Sequence, residues 1–151
     1  MAVGGHNTPP SVVSLATTTL NSLANNGTVD TAIDLNDYRS GGVGSGVWPY
    51  SLSIGLLLAS LTPASPTGIF AYWLPSLDGT AGNYPDEADQ HIMASWLPST
   101  AAAAKYLRQA GANFLVGDGR YVRLRIKNQL GVSLASSGNI LYGHFRFDES
   151  V

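Results

Sequence analysis

The sequence has 151 residues, enough for one domain with a substantial hydrophobic core. Hydrophobic residues make up 44% and charged residues only 12%, a composition that excludes an intrinsically disordered protein. The absence of cysteine excludes disulfides, thiolate metal sites and cysteine nucleophiles.

The N-terminal sequence MAVGGHNTPP lacks the basic region and apolar core of a secretory signal. No apolar run approaches the ~20 residues that a membrane-spanning helix needs. We therefore expect a protein that is made and assembled in a cytoplasm, without a membrane partner.

Charge is divided along the chain. Residues 1–100 carry seven acidic side chains and one basic side chain, whereas residues 101–151 carry seven basic and three acidic ones. If the acidic first part and the basic second part of the chain lay on different faces of the fold, their opposite charges would favour ordered packing of copies against each other. Halves that interleave in one sandwich would mix the charges, and the sequence leaves both arrangements open.

The first half of the chain predicts an arm followed by strands. Residues 1–11, rich in Gly and Pro, are predicted to form a flexible or docking arm, and residues 12–151 a single β-sandwich domain. Alternation from Val29 predicts a half-buried strand. The glycine-rich segment 37–46 lacks the GK[ST] of a phosphate-binding loop. Residues 47–61 predict a long strand with Trp48 and Tyr50 on the face of Leu52, bulged or bent at Gly55.

Two further predicted strands, IFAYWL (69–74) and HIMASWL (91–97), flank an acidic loop. The loop could hold a metal, bind a sugar or join the two strands. It lacks the residue order of a calcium-binding EF-hand, although Asp86, Glu87 and Asp89 could hold an ion with help from the backbone. The favoured interpretation is a solvated connector in which Asp78-Gly79 sets a turn.

The last third predicts one short helix, STAAAAKYLRQ (99–109), and then strands at NFLV, RYVRLRIKN, LGVSLAS and NILYGHFRF. The pattern of RYVRLRIKN is the clearest, since Val122, Leu124 and Ile126 alternate with a row of cations. The predicted fold is all-β: a two-sheet antiparallel sandwich, jelly-roll-like, with one short helix near residues 99–109. A closed barrel is the alternative.

Nothing in the sequence predicts catalysis. The three histidines lack metal-binding spacing, and no G-x-S-x-G elbow is present. Two carboxylates alone could serve a glycosidase, but a fold of this size rarely has room for the cleft. We predict a protein that is not an enzyme and has no cofactor, no metal site and no catalytic residues.

A basic row is the clearest candidate for binding. The row consists of Arg120, Arg123, Arg125 and Lys127, with Arg146 on a strand predicted to be a neighbour and Tyr121 and Tyr142 nearby. It resembles an aromatic and basic strip for nucleic acid, but the pI of 5.8 disfavours that partner. A protein with an acidic face explains the row as well, and so does a solvated strand face. The candidate protein-interface residues are Tyr38, Tyr84, Asp86, Asp89, Tyr121, Arg123, Arg125, Lys127 and Arg146.

Six aromatic residues are candidate anchors for a protein partner, although for the tryptophans a place in the core is favoured. They are Tyr38, Trp48, Tyr72, Trp73, Tyr84 and Trp96.

Four segments, in order, resemble small virion proteins of tailed bacteriophages: SGVWPYSLSIGLLLAS, GIFAYWLPSLDGTAGNYPDE, GDGRYVRLRIKNQ and NILYGHFRF. The resemblance covers roughly residues 25–147. It implies a jelly-roll-like sandwich at the capsid surface of the virion, which decorates or cements the shell without cofactor or catalysis. The implied partners are the major capsid protein and copies of the chain itself, with a trimer favoured by analogy.

Two rival functions remain open. The first is a tail or head-to-tail connector protein of the same virion. The second is a carbohydrate-binding, lectin-like module that would stack Trp73, Tyr84 or Trp96 on sugar rings beside Asp86 and Asp89.

Overall fold

The computed structural model describes residues 11–76, 78–80, 92–98, 105–108, 114–115 and 120–147. A short 3₁₀ helix, Leu35–Tyr38, lies between the second and third strands. In the part of the chain that the structure describes, no helix is long and apolar enough to cross a membrane. The strands within these ranges are β1 (Ser11–Ala16), β2 (Thr28–Asp34), β3 (Pro49–Leu58), β4 (Ile69–Ser76), β5 (Ile92–Trp96), β6 (Lys105–Arg108), β7 (Phe114–Leu115), β8 (Tyr121–Asn128) and β9 (Ile140–Phe147).

The strands form two antiparallel sheets. The first sheet has the order β1-β9-β3-β6, with β7 also paired to β3, and the second has the order β2-β8-β4-β5. The chain crosses between the sheets after β1, β2, β3, β5, β7 and β8, so that each sheet combines strands from both ends of the sequence. This is the strand order of a jelly roll. The predicted all-β sandwich with jelly-roll-like topology is confirmed.

Alternation along the strands places the core between the sheets. On β8, Val122, Leu124 and Ile126 are buried and the residues between them are half-buried, as the sequence pattern predicts. The first sheet contributes residues such as Leu52 and Phe145 to the same hydrophobic cluster. On β8 and β9 only the inner face is fully buried, so the outer face remains available to polar side chains, whereas β3 is buried on both faces from Ser51 to Leu56.

The predicted helix is wrong where the structure describes it. Lys105–Arg108 is strand β6, which pairs with Gly55–Leu58 of β3. Helix propensity is a weak preference, and a helix of two or three turns is marginal in water. The edge of β3 instead supplies backbone hydrogen-bond partners. Residues 99–104 and 109 lie outside the described residues.

Three other local predictions are also wrong. LGVSLAS (130–136) is a connection and not a strand, because Leu130 and Leu134 are buried from a loop and so imitate the alternation of a strand. The irregularity of β3 lies between Pro49 and Ser51, whereas its pairing with β9 continues through Gly55. Tyr50, at the irregularity, is 42% exposed and does not share the core face of Leu52.

The arm predicted over residues 1–11 lies outside the described residues except for Ser11. This residue is the first of β1, an edge strand that pairs with β9. β1 was not predicted as a strand.

Buried asparagines tie together the connections at one end of the sandwich. The Asn128 side-chain nitrogen donates to the carbonyls of Leu23, Ala24 and Val132 at 2.9, 3.2 and 2.8 Å, and its Oδ1 accepts from the Leu130 amide at 3.1 Å. Asn139 bonds in the same way to residues 21, 59 and 135. Both side chains are fully buried with their polar atoms satisfied. This end is called the amide end below.

Candidate protein-interaction site

The connection between β2 and β3 is organised around Arg39. Its Nε donates to the Gly46 carbonyl at 3.0 Å, its Nη1 donates to the Gly44 carbonyl at 3.2 Å, and its Nη2 also donates to the Gly46 carbonyl. Ser40 adds two bonds, since its amide donates to the Val47 carbonyl at 3.0 Å and its Oγ accepts from the Val47 amide at 2.9 Å. One planar guanidinium thus fixes the far side of the loop through several bonds.

The spacing of glycines in this loop has a conformational cause. Gly42, Gly44 and Gly46 have φ values of +95°, +70° and +78°, in the left-handed region that side-chain-bearing residues rarely adopt. A Cβ on Gly46 would also lie 2.5 Å from the Gly41 nitrogen. The loop therefore closes tightly only with glycine at position 46.

The closed loop holds apolar side chains in solvent. Val43 is 71% exposed, Val47 40%, Trp48 42% and Tyr50 42%. The Arg39 guanidinium carbon lies 4.9 Å from the centroid of the Trp48 ring, the distance of a cation–π contact. We call these four side chains, with Arg39, the Arg39 ridge, and the end of the sandwich that carries it the ridge end.

A small cavity of about 140 Å³ adjoins the ridge. Val13, Phe145 and Phe147 form its apolar wall, and Asp37, Tyr38 and Arg39 line the rest. Tyr38 stacks on Phe145 with ring centroids 4.4 Å apart, and burial raises the pKa of its hydroxyl. Tyr38, a predicted interface residue, therefore lies half-buried at the margin of the core beside the ridge.

The predicted basic row lies on the outer face of the second sheet. Arg125 forms two hydrogen bonds to Asp30, from Nε to Oδ1 at 2.7 Å and from Nη2 to Oδ2 at 2.9 Å. Arg123 Nη1 lies 3.3 Å from the same carboxylate. Because β2 pairs with β8, an acidic residue of the first half meets basic residues of the second half. For these residues the two charged halves interleave.

A second ion pair covers the start of β8. Arg120 donates to both carboxylate oxygens of Asp34, at 2.7 and 2.6 Å, and Asp34 Oδ1 also accepts from the Asn36 amide at 3.0 Å. The hydrogen bonds from Arg120 lower the pKa of the Asp34 carboxyl. The Arg120 guanidinium lies 4.9 Å from the Tyr121 ring centroid, and Gly79 packs against the same ring. Tyr121 is thus half-buried and partly covered.

Arg146 is not beside the other predicted cations. It lies on β9, which pairs with β1 and β3 in the first sheet, whereas β8 belongs to the second sheet. The last connection of a jelly roll crosses between the layers, so two strands that are neighbours in sequence lie in different sheets. Tyr84, Asp86 and Asp89 lie outside the described residues.

The tryptophans differ from one another in exposure. Trp96 is 5% exposed within the core cluster and is therefore not available for the sugar stacking considered above, whereas Trp73 is half-buried and packs against that cluster. Trp48, expected in the core, is instead part of the exposed ridge. Of the acidic loop, the described residues 78–80 form the predicted turn, in which Asp78 Oδ1 accepts from the Thr80 amide at 2.9 Å.

Sequence reasoning missed the Arg39 ridge. Valines at positions 43 and 47, set among glycines and followed by Trp48, were the available signal, because a solvated loop has no need of apolar side chains. In the part of the chain that is described, no group of three or more His, Cys, Asp or Glu side chains could hold a metal ion.

Comparison with known proteins gives no family for the chain. No family model matches it, and no curated protein matches it. Among solved structures it is similar to a chain in "Structure of infectious bursal disease virus Gt strain", with 12% identity and a TM-score of 0.33. The match covers 95% of this chain and 39% of the viral chain. That TM-score is too low to carry an argument about function, and the resemblance to tailed-phage virion proteins stays a prediction.

Proposed function

We propose that this chain is a structural protein of a tailed-phage virion, which decorates or cements the capsid through protein contacts made by the Arg39 ridge. The exposed, hydrogen-bonded ridge is the observation that carries the proposal. The partners are the major capsid protein and further copies of the chain, with three copies grouped around each binding position. No catalysis is involved.

The composition of the ridge suits a protein partner. Trp, Tyr and Arg are the residues that most often dominate binding energy at protein interfaces. Trp48 presents aromatic surface beside the guanidinium of Arg39, Tyr50 adds a second exposed aromatic ring, and Val43 and Val47 extend the apolar area. Such a surface gains free energy when a partner removes it from water.

The loop is also ordered before binding. Hydrogen bonds from Arg39 and Ser40 hold the backbone that presents the apolar side chains. A partner would therefore lose little conformational entropy in ordering the ridge, and most of the contact energy would appear as affinity. The jelly-roll topology alone does not identify this function, because the same topology occurs in both capsid proteins and lectins.

Substitution of Trp48 by alanine tests the proposal. Wild-type and W48A protein would be added to capsids that lack this chain, and bound copies would be counted after sedimentation. We expect W48A to bind about 30-fold more weakly, the effect of losing an interface anchor of about 2 kcal/mol. Leu97→Ala is the matched control, since Leu97 is 66% exposed and apolar but follows β5 at the opposite end of the sandwich.

The outcomes separate the rival functions. Equal binding of W48A and wild type would remove the ridge from the interface, and wild-type protein that never binds capsids would overturn the decoration role. In a reconstruction of the whole particle, copies spread over the shell support decoration. A ring on the tail axis would identify a connector protein.

A further inference from the structure

A polar cleft opens at the amide end, opposite the Arg39 ridge. β2 begins near the cleft at Thr28 and reaches the ridge end at Asp34, about 20 Å away at the usual rise per residue. The cleft has a volume of about 320 Å³, within the range of small-molecule sites. Its lining consists of Asn25, Asn26, Ser65, Thr67, Gln129 and Gly131.

Hydrogen bonds donated by backbone amides hold the walls of the cleft together. The Gly131 amide donates to Asn25 Oδ1 at 2.9 Å, the Asn26 amide donates to the Asn128 carbonyl at 2.7 Å, and the Ser65 amide donates to the Leu130 carbonyl at 2.9 Å. The walls thus come from three different connections tied to one another, and buried Asn128 anchors one of them to the core. The cleft is a built feature and not a gap between unrelated loops.

The wall contains two hydroxyl groups, and the acceptor to which each one donates its hydrogen can be assigned. The Thr67 hydroxyl donates its only hydrogen to the Gln129 carbonyl. The Ser65 hydroxyl, whose oxygen is 2.7 Å from Thr67 Oγ1, must therefore be the donor of that pair. With both hydrogens committed, the hydroxyl oxygens offer only lone pairs to a ligand. They are fixed acceptors.

The amide side chains supply the complementary donors. Because Asn25 Oδ1 accepts from the Gly131 amide, the NH₂ group is the part of this lining side chain that can bond to a ligand, and it is a donor. Gln129 adds an amide with both a donor and an acceptor group. None of the six lining residues is charged or aromatic. The lining therefore offers no ionic attraction to an anion or cation and no apolar floor.

We propose that this cleft binds a neutral polyhydroxylated ligand, a glycan. A sugar hydroxyl donates and accepts at once, so adjacent hydroxyls can match a fixed acceptor beside a fixed donor. Without an aromatic floor the affinity is modest, with a Kd of about 1 mM. Binding does not depend on the proposed virion role, but if the ridge faces the shell, the cleft at the opposite end faces away from it.

Nuclear magnetic resonance of the full ¹⁵N-labelled chain tests the inference. Glucose, galactose, mannose, N-acetylglucosamine and their disaccharides would be titrated to about 100 mM, well above the expected Kd. We expect saturable shifts of the Asn25, Gln129 and Gly131 amides with at least one of these sugars. Gln129→Ala, which removes only a side chain, and Thr67→Val, which removes a fixed acceptor, should each weaken binding about tenfold.

Controls make a negative result decisive. Thr62→Ala alters an exposed hydroxyl residue in the same connection outside the cleft and should bind as the wild type does. Thermal unfolding would confirm that each variant is folded. The inference is overturned if no neutral sugar gives saturable shifts, if the shifts fall elsewhere, if Gln129→Ala binds as tightly as wild type, or if only charged sugars bind.

Discussion

At the ridge end, one partly exposed arginine holds a loop together, whereas at the amide end two fully buried asparagines hold several connections together. Arg39 and Asn128 each bond to backbone carbonyls of their surroundings. The two side chains differ in how much stability the protein loses when their hydrogen bonds are removed. Carbonyls near Arg39 can turn to water, whereas Asn128 is fully buried, and its loss removes a donor from three carbonyls and the acceptor of the Leu130 amide. The amide end therefore provides stability, and the ridge end provides an ordered surface.

The largest predicted loss of stability comes from a substitution at the amide end. Asn128→Ala leaves three carbonyls without their side-chain donor and should lower the free energy of unfolding by about 3 kcal/mol, with a fall in Tm of about 10 °C. Urea denaturation followed by tryptophan fluorescence measures it. Asn36→Ala, at the ridge end, is the control and should change stability by about 0.5 kcal/mol or less. Similar losses in the two variants would contradict the contrast between the ends.

A smaller loss of stability is expected when either of two glycines in the connection between β2 and β3 is replaced by alanine. Gly46→Ala combines a left-handed φ with a Cβ 2.5 Å from a backbone nitrogen and should cost about 2 kcal/mol. Gly42→Ala has the same kind of φ but nothing within 4 Å of its Cβ, so it should cost about 1 kcal/mol. Urea denaturation of both variants measures the difference. Equal costs would show that the loop relaxes around the added methyl group.

The smallest predicted effect is on how the stability of the protein depends on pH. The pKa of Asp34 in the folded protein is below its ordinary value of 3.8, so the ion pair with Arg120 stabilises the fold above that value and this stabilisation is lost as pH falls through the folded pKa. Asp34→Asn should therefore be less stable than wild type at neutral pH, and the gap should shrink below about pH 4. Urea midpoints across this range measure it, with Asp37→Asn as the control. A gap that stays constant with pH would remove Asp34 from the acid dependence.

Elements whose alternation is set by one buried face could be predicted from the sequence. β8 is the clearest case, since Val122, Leu124 and Ile126 occur at every second position and all three are buried. The same reasoning located β2 and most of β3. From these strands and their turns, the two-sheet jelly-roll-like sandwich followed.

Elements that depend on a distant partner could not be predicted. β6 follows a run of alanines and exists as a strand because β3 offers it an edge, which the local sequence does not record. Arg146 was placed beside β8 because β9 is the next strand, whereas the crossing of layers depends on the whole topology. Trp48 is exposed because glycines and Arg39 close the loop before β3, a tertiary arrangement invisible to periodicity.

The pairing of the outermost described strands has a practical consequence. Ser11 of β1 lies opposite Phe145, and Phe147 of β9 lies opposite Pro49, so the chain enters and leaves the described domain at the ridge end. An affinity tag joined before β1 or after β9 would emerge near Trp48 and compete with any partner for that surface. A peptide intended for display is better inserted near exposed Thr62, in the connection between β3 and β4 at the opposite end.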